Sequence, residues 1–262
     1  MSLLALISAA CSGDDDGSPT GPTEVTGAAT AATAATGPTA TGDTAGAGAT
    51  GGTGATPLVS GPLEPGTYSF DRFGETVTLT LGEGWEAFVF EGPEEKETAL
   101  AEFFALFNAD HPAANLAFVL PTRVVDPAKE WDEADNLEPV PDDLVRWFEE
   151  HPLHEAGPVS DVTVAGLPGS AVDLVVADVP KNGWPACGGS CVLWVPVSVE
   201  HETGPLTDRD LVFAGALDEV DRQIVVEIGG QQLLIDIGAA DQESFDAFLP
   251  LAEEVLATLT IG

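Results

Sequence analysis

Cys187 and Cys191 frame the run C-G-G-S-C, a spacing open to three kinds of cysteine chemistry. A disulfide needs Cα atoms within about 4.4–6.8 Å, and Gly188 and Gly189 permit the reversal that brings them there. Zinc needs four ligands, of which one C-x3-C pair is half, and a thiol oxidoreductase separates its cysteines by two residues, not three. A disulfide is therefore expected. It closes a very small loop, steadies a local hairpin more than the whole domain, and implies an oxidising compartment.

Other reactive side chains give weaker patterns. His151, His154 and Glu155 form H-x-x-H-E, but a metalloprotease helix sets its histidines four apart, and Pro152 interrupts here. The segment reads as a solvated helix exit. His201, between Glu200 and Glu202, reads as a surface residue whose pKa its neighbours raise. Ser160, Ser190 and Ser198 lack a G-x-S-x-G elbow, and Gly229-Gly230 has no following lysine or helix to cradle a phosphate. Carboxylates are too numerous for any pair to stand out. No catalytic residue, metal or cofactor is expected.

Trp184, Trp194 and Phe213 are the aromatic residues of most interest. Trp184 lies with Lys181, Asn182 and Pro185 in the loop 179–190, a candidate binding loop that the disulfide would hold in shape. An exposed aromatic on such a loop docks at little entropic cost. The alternative has Trp184 folded back as a lid on the core.

The elements that must position these residues begin after Pro57, where apolar alternation sets in. Period-two patterns predict strands over 67–70, 76–81, 87–91, 103–107, 115–120, 161–165, 171–178, 192–199, 210–216, 223–228 and 231–237. Gly229-Gly230 is a hairpin turn between the last two. Segment 94–102 reads equally as a helical turn or an acidic loop. Pro141-Asp142-Asp143 opens an amphipathic helix, with Pro141 near N1, acids in its first turn, Leu144, Trp147 and Phe148 on one face, and a stop at His151-Pro152. A longer helix over 242–258 carries an apolar stripe behind an Asp241 cap. The fold class is α+β: an antiparallel sheet sandwich with a central helix and a long C-terminal helix.

Residues 1–10 (M-S-L-L-A-L-I-S-A-A) are apolar but too short to span a bilayer. Ser8, Ala9 and Ala10 directly before Cys11 resemble the lipobox of bacterial lipoproteins, which implies a diacylated Cys11 and a membrane anchor. Ser8 stands where a lipobox has leucine, and the missing basic n-region points to a start further upstream. Residues 12–56, rich in Thr, Ala and Gly, read as a disordered tether with an r.m.s. span of roughly 35–40 Å. Residues 57–262 then form a single domain.

The net charge is −36, and beyond the tether thirty-nine acids face eight bases, a net of −31. Such a surface repels phosphate backbones, so nucleic acid is not an expected partner; solubility in a salty medium explains it more simply.

The phrases L-E-P-G-T-Y at 63–68, G-E-G-W at 82–85, P-D-D-L-V-R-W-F-E-E-H-P at 141–152 and the closing F-D-A-F-L-P-L-A-E-E-V-L-A-T-L resemble a group of uncharacterised secreted actinobacterial proteins. Their ending is similar to the PsbP-like α/β sandwich, also found in mycobacterial lipoproteins. The resemblance implies a fold and accessory or binding roles, with no catalytic set to carry over. The reading is a surface-tethered, extracytoplasmic, non-enzymatic binding or accessory module. Its expected partners are the membrane, through lipid on Cys11, and an envelope protein or small molecule. The alternatives are a cell-envelope hydrolase or esterase whose acids converge only in the fold, and a lipoprotein binding a small lipophilic molecule between sheet and helix.

Overall fold

A computed structural model describes residues 54–92, 98–180, 184–200, 205–207 and 210–262. Cys11, the tether before residue 54, Lys181, Asn182 and His201 lie outside the described residues.

Twelve strands and two helices carry most of the fold. They are β1 (Gly66–Phe70), β2 (Val77–Leu81), β3 (Trp85–Val89), β4 (Ala101–Asn108), β5 (His111–Pro121), α1 (Leu144–Glu149), β6 (His154–Ala156), β7 (Ser160–Val164), β8 (Leu167–Val176), β9 (Cys191–Val199), β10 (Leu211–Ala216), β11 (Val220–Ile228), β12 (Gln231–Ala239) and α2 (Gln242–Ala257). The class is α+β, dominated by antiparallel pairing.

The main sheet runs β6-β8-β11-β12-β5-β4-β3 and ends on Gly61–Pro62, with β7 as a further edge partner of β8. Alternation along β11 and β12 sends Ile224, Val226, Leu233, Ile235 and Ile237 to one face, and Val225 and Leu234 to the other. Both faces are buried. On the first lie α2 and a small sheet containing β1 and β2; on the second lie α1 and a sheet built on β9 and β10. A third cluster gathers Leu193, Val212 and Trp184 on the other face of the β9–β10 sheet.

Local chemistry sets the element ends. The Gly229-Gly230 turn has positive φ at both residues (55° and 79°), the geometry of a two-residue hairpin that only glycine adopts freely. Asp241 caps α2 by accepting from the Ser244 N–H at 2.7 Å, as its position in the sequence suggests. In α1 the cap is Asp143, accepting from the Arg146 N–H at 3.0 Å, so Pro141 lies ahead of the helix and no acid occupies its first turn. The acidic segment 94–102 is neither helix nor plain loop in its described part: Thr98–Ala99 pairs with Val199 and Ser198, and β4 starts at Ala101.

Cys187 and Cys191 form a disulfide with a Cα separation of 6.2 Å. It ties the short 3-10 turn Pro185–Cys187 to the first residue of β9.

Gly215 on β10 is where the second layer fits closest. A Cβ there would run into the ring of Trp194 and meet Val176 Cγ2 at 2.9 Å, and Trp194 is 1 % exposed with nowhere to retreat. Gly215→Ala is expected to lower stability by about 1–3 kcal/mol through overpacking, read as a lower urea midpoint; an unchanged midpoint contradicts this packing.

Candidate functional site

Three arrangements bring chemically capable side chains together, and they differ in the space they leave for another molecule.

The first lies where α1 meets β9. His151 and His154 stack with ring centroids 4.1 Å apart, and His151 is 3 % exposed. The Trp194 Nε1–H donates to His154 Nε2 at 3.0 Å, so that nitrogen carries a lone pair and Nδ1–H donates to the Phe148 carbonyl at 3.2 Å. Both rings are held neutral. Burial, then repulsion from His154, lowers the His151 pKa to about 3, and burial lowers that of His154 to about 4. The helix exit is thus not solvated: Pro152 turns the chain back so that both histidines enter the aromatic core around Phe148 and Trp194. His154 Nε2 is already committed to an indole, which removes it as a metal ligand.

Trp184 resolves the two readings of its loop. It is 1 % exposed, donates from Nε1 to the Thr207 carbonyl at 3.2 Å and packs in the third cluster, so it is a lid on the core and not an exposed docking surface. Pro185 beside it is exposed. Trp194 and Phe213 meet with centroids 5.4 Å apart, and Trp184 is not part of their cluster.

The second arrangement is a trio of buried carboxyls between the main sheet and the β9–β10 layer. Asp221 on β11 and Asp236 on β12 are 0 % and 1 % exposed, and Glu219 in the preceding turn is 4 % exposed. Oxygens of all three converge over Gly238, where a Cβ would meet Asp221 Oδ1 at 2.7 Å and both Asp236 Oδ2 and Glu219 Oε1 at 3.2 Å. Asp236 accepts from Gln223 Nε2 at 2.6 Å and Asn115 Nδ2 at 2.9 Å, and Glu219 from the Ala216 N–H at 2.5 Å. Among the described residues, Asp221 has no N–H donor for either oxygen. It faces Asp236, a contact that becomes a hydrogen bond only with a proton between them.

An uncompensated charge at this depth costs several kcal/mol, so the trio holds protons near neutrality. Burial raises the Glu219 carboxyl to about 8 and that of Asp236 to about 7, and pushes Asp221 well up, with Glu219 and Asp236 adding repulsion. Carboxyls converging beside a cavity are what an acid-catalysed hydrolase needs. The adjoining cavity, closed by Trp194 and Phe213, measures only about 40 Å³. That admits a water but neither a sugar nor an acyl group.

The third arrangement has the room. A groove of about 420 Å³ lies on the opposite face of the main sheet, between α2 and the edge strand β7. Ser160 and Val162 of β7 form one wall, Leu256 and Ala257 of α2 the other, and Ala171 and Ile224, direct cross-strand partners, the floor. One end is polar. There Arg222 donates from Nε and Nη2 to the two oxygens of Asp173 at 2.6 and 2.9 Å, and from Nη1 to Glu253 Oε1 on α2 at 3.2 Å. Asp173 is its cross-strand neighbour, and its hydrogen bonds are the first cause of a raised Arg222 pKa. Size, apolar floor and few polar groups are those of a small-molecule site.

No family model matches the chain, and no curated protein matches its sequence. Among solved structures it is similar to the cyanobacterial PsbP protein CyanoP from Synechocystis sp. PCC 6803, at 11% identity and a TM-score of 0.38, over 82% of this chain and 100% of that one. It is also similar to LpqN, a protein involved in cell envelope biogenesis of Mycobacterium tuberculosis, at 11% identity and a TM-score of 0.30, over 74% of this chain and 90% of that one.

The two buried titratable clusters act on opposite limbs of the stability curve. The histidines, with lowered folded pKa values, contribute stability that is lost as pH falls from about 6.5 towards 3–4. The carboxyls, with raised ones, contribute stability that is complete below about pH 4 and lost as pH rises towards 8. Between pH 6.5 and 8 the carboxyls act without the histidines. Urea midpoints are expected to fall across that window and to fall less in Asp236→Asn; equal slopes in both proteins contradict the protonated trio.

Proposed function

We propose that this chain is an envelope-tethered, non-enzymatic binding module that seats a small, largely apolar molecule in the groove between its main sheet and α2. The single observation that carries the reading is the groove itself: about 420 Å³, with an apolar floor at Ala171 and Ile224 and with Arg222, Asp173 and Glu253 gathered at one end. A cavity of that size on a rigid sheet needs no rearrangement to admit a ligand, which keeps the entropic cost of binding low.

The cellular setting is read from the other end of the chain. Lipid on Cys11 attaches the protein to the outer face of the cell membrane, and residues 12–56 let the binding domain range above it. The Cys187–Cys191 disulfide supports a location outside the cytoplasm, where such bonds persist. A carrier or sensor of membrane-derived or wall-derived small molecules suits this placement. The hydrolase reading is disfavoured because the converging carboxyls open on about 40 Å³.

Nile red, a neutral dye that brightens in dry surroundings, is expected to bind the full chain. Ala257→Trp, an addition at an exposed helix position on the groove wall, is expected to weaken that binding at least about tenfold. Val59→Trp, which also places an indole, at a residue 55% exposed and outside the groove, is expected to leave it unchanged. Dye binding insensitive to Ala257→Trp sinks the reading.

A further inference from the structure

We infer that the groove selects a cationic amphiphile, a hydrocarbon body with an ammonium-type head, and that Asp173, Arg222 and Glu253 set this preference; the inference rests on the groove being the binding site. Arg222 suggests the opposite at first, because a lone arginine in an apolar site is often an anchor for an anionic head. Three of its five N–H donors, however, are already directed to protein carboxylates. Asp173 takes two in a bidentate pair at 2.6 and 2.9 Å, and Glu253 takes another across the groove at 3.2 Å.

The charge count at that end is one guanidinium against two carboxylates, a local net of −1. Exposure sharpens the asymmetry. The Arg222 side chain is 26% exposed, while those of Asp173 and Glu253 are 54% and 57% exposed, so an arriving head group meets carboxylate first. Glu253 uses only Oε1 on Arg222, which leaves Oε2 to accept from a ligand. The hydroxyls of Ser160 and Thr163 add neutral hydrogen-bonding capacity at the lining without changing the sign.

An anionic head would reach Arg222 only through its two remaining N–H donors, past carboxylates that are more exposed than the guanidinium. It would also approach against the field of a domain with 31 more acidic than basic residues. A hydroxyl head escapes both penalties but gains nothing from the field. An ammonium head gains from the field on approach and from a direct contact with Glu253 once bound. Discrimination of this kind comes as much from repelling the wrong charge as from attracting the right one.

Decylamine, decanol and decanoate share one chain and differ in the head, and their displacement of Nile red from the full chain can be compared at low and high ionic strength. Decylamine is expected to bind about tenfold more tightly than decanoate at low salt, with decanol between them and the differences shrinking at high salt. Glu253 is an exposed helix residue, so its variants should fold. Glu253→Gln is expected to narrow the amine preference, and Glu253→Lys to reverse it in favour of decanoate. If all three bind, Ala257→Trp removes them, and decanoate matches or exceeds decylamine, head selection is overturned while the groove stands. If none binds, the groove reading fails and this inference with it.

Discussion

A sheet whose strands are apolar on both faces has to be covered on both, and this requirement organises the described part of the chain. Along β11 and β12 there is no solvent face to satisfy: Ile224, Val226, Leu233 and Ile235 look one way, Val225 and Leu234 the other. One face takes α2 and the β1–β2 sheet, the other α1 and the β9–β10 sheet. Coverage by a single helix is narrow. At 16 residues α2 is about 24 Å long and one helix wide. It lies chiefly over β12 and β5, and the floor beyond it, at Ala171 and Ile224, is left as a groove. The candidate binding site is thus the cleft that remains where α2 stops short of the edge strand β7.

The same requirement explains the buried carboxyls. Asp221 and Asp236 stand on the face closed by the β9–β10 layer, so they are sealed in by the packing that buries Trp194. Gly238 supplies the space in which the three carboxyls meet, since any side chain there would collide with their oxygens. In a chain with 44 acids and eight bases, the protein neutralises these by protonation and spends Arg222 elsewhere, bridging β8, β11 and α2 at the groove. Placed across that end, the arginine links the helix to the sheet beside the groove.

Much of this arrangement is written in local patterns. The T-V-T-L-T-L alternation, the Gly229-Gly230 turn, the Asp241 cap and the apolar stripe from Phe245 to Leu259 predict strands, hairpin and helix close to where they lie. The C-G-G-S-C spacing predicts the disulfide for a reason of chain geometry alone. Depth is what local pattern does not carry. Whether Trp184 points out or in depends on the third cluster that receives it, and Pro152 hides the turn that takes His151 and His154 inward. For the carboxyl trio one signal existed: Asp236 interrupts the apolar run L-L-I-D-I, where a solvent face would require regular alternation. The groove left no mark of its own in the sequence, because it results from how far one helix reaches across a sheet.

A methyl-resolved NMR titration of the full chain with decanol tests the groove most directly. Shifts concentrated at Val162, Val164, Ile224, Ile237 and Leu256, with Val119 and Leu234 on the opposite face undisturbed, are the predicted result. Saturable binding whose shifts fall elsewhere, or no shift at the groove methyls at any decanol concentration, would contradict the account.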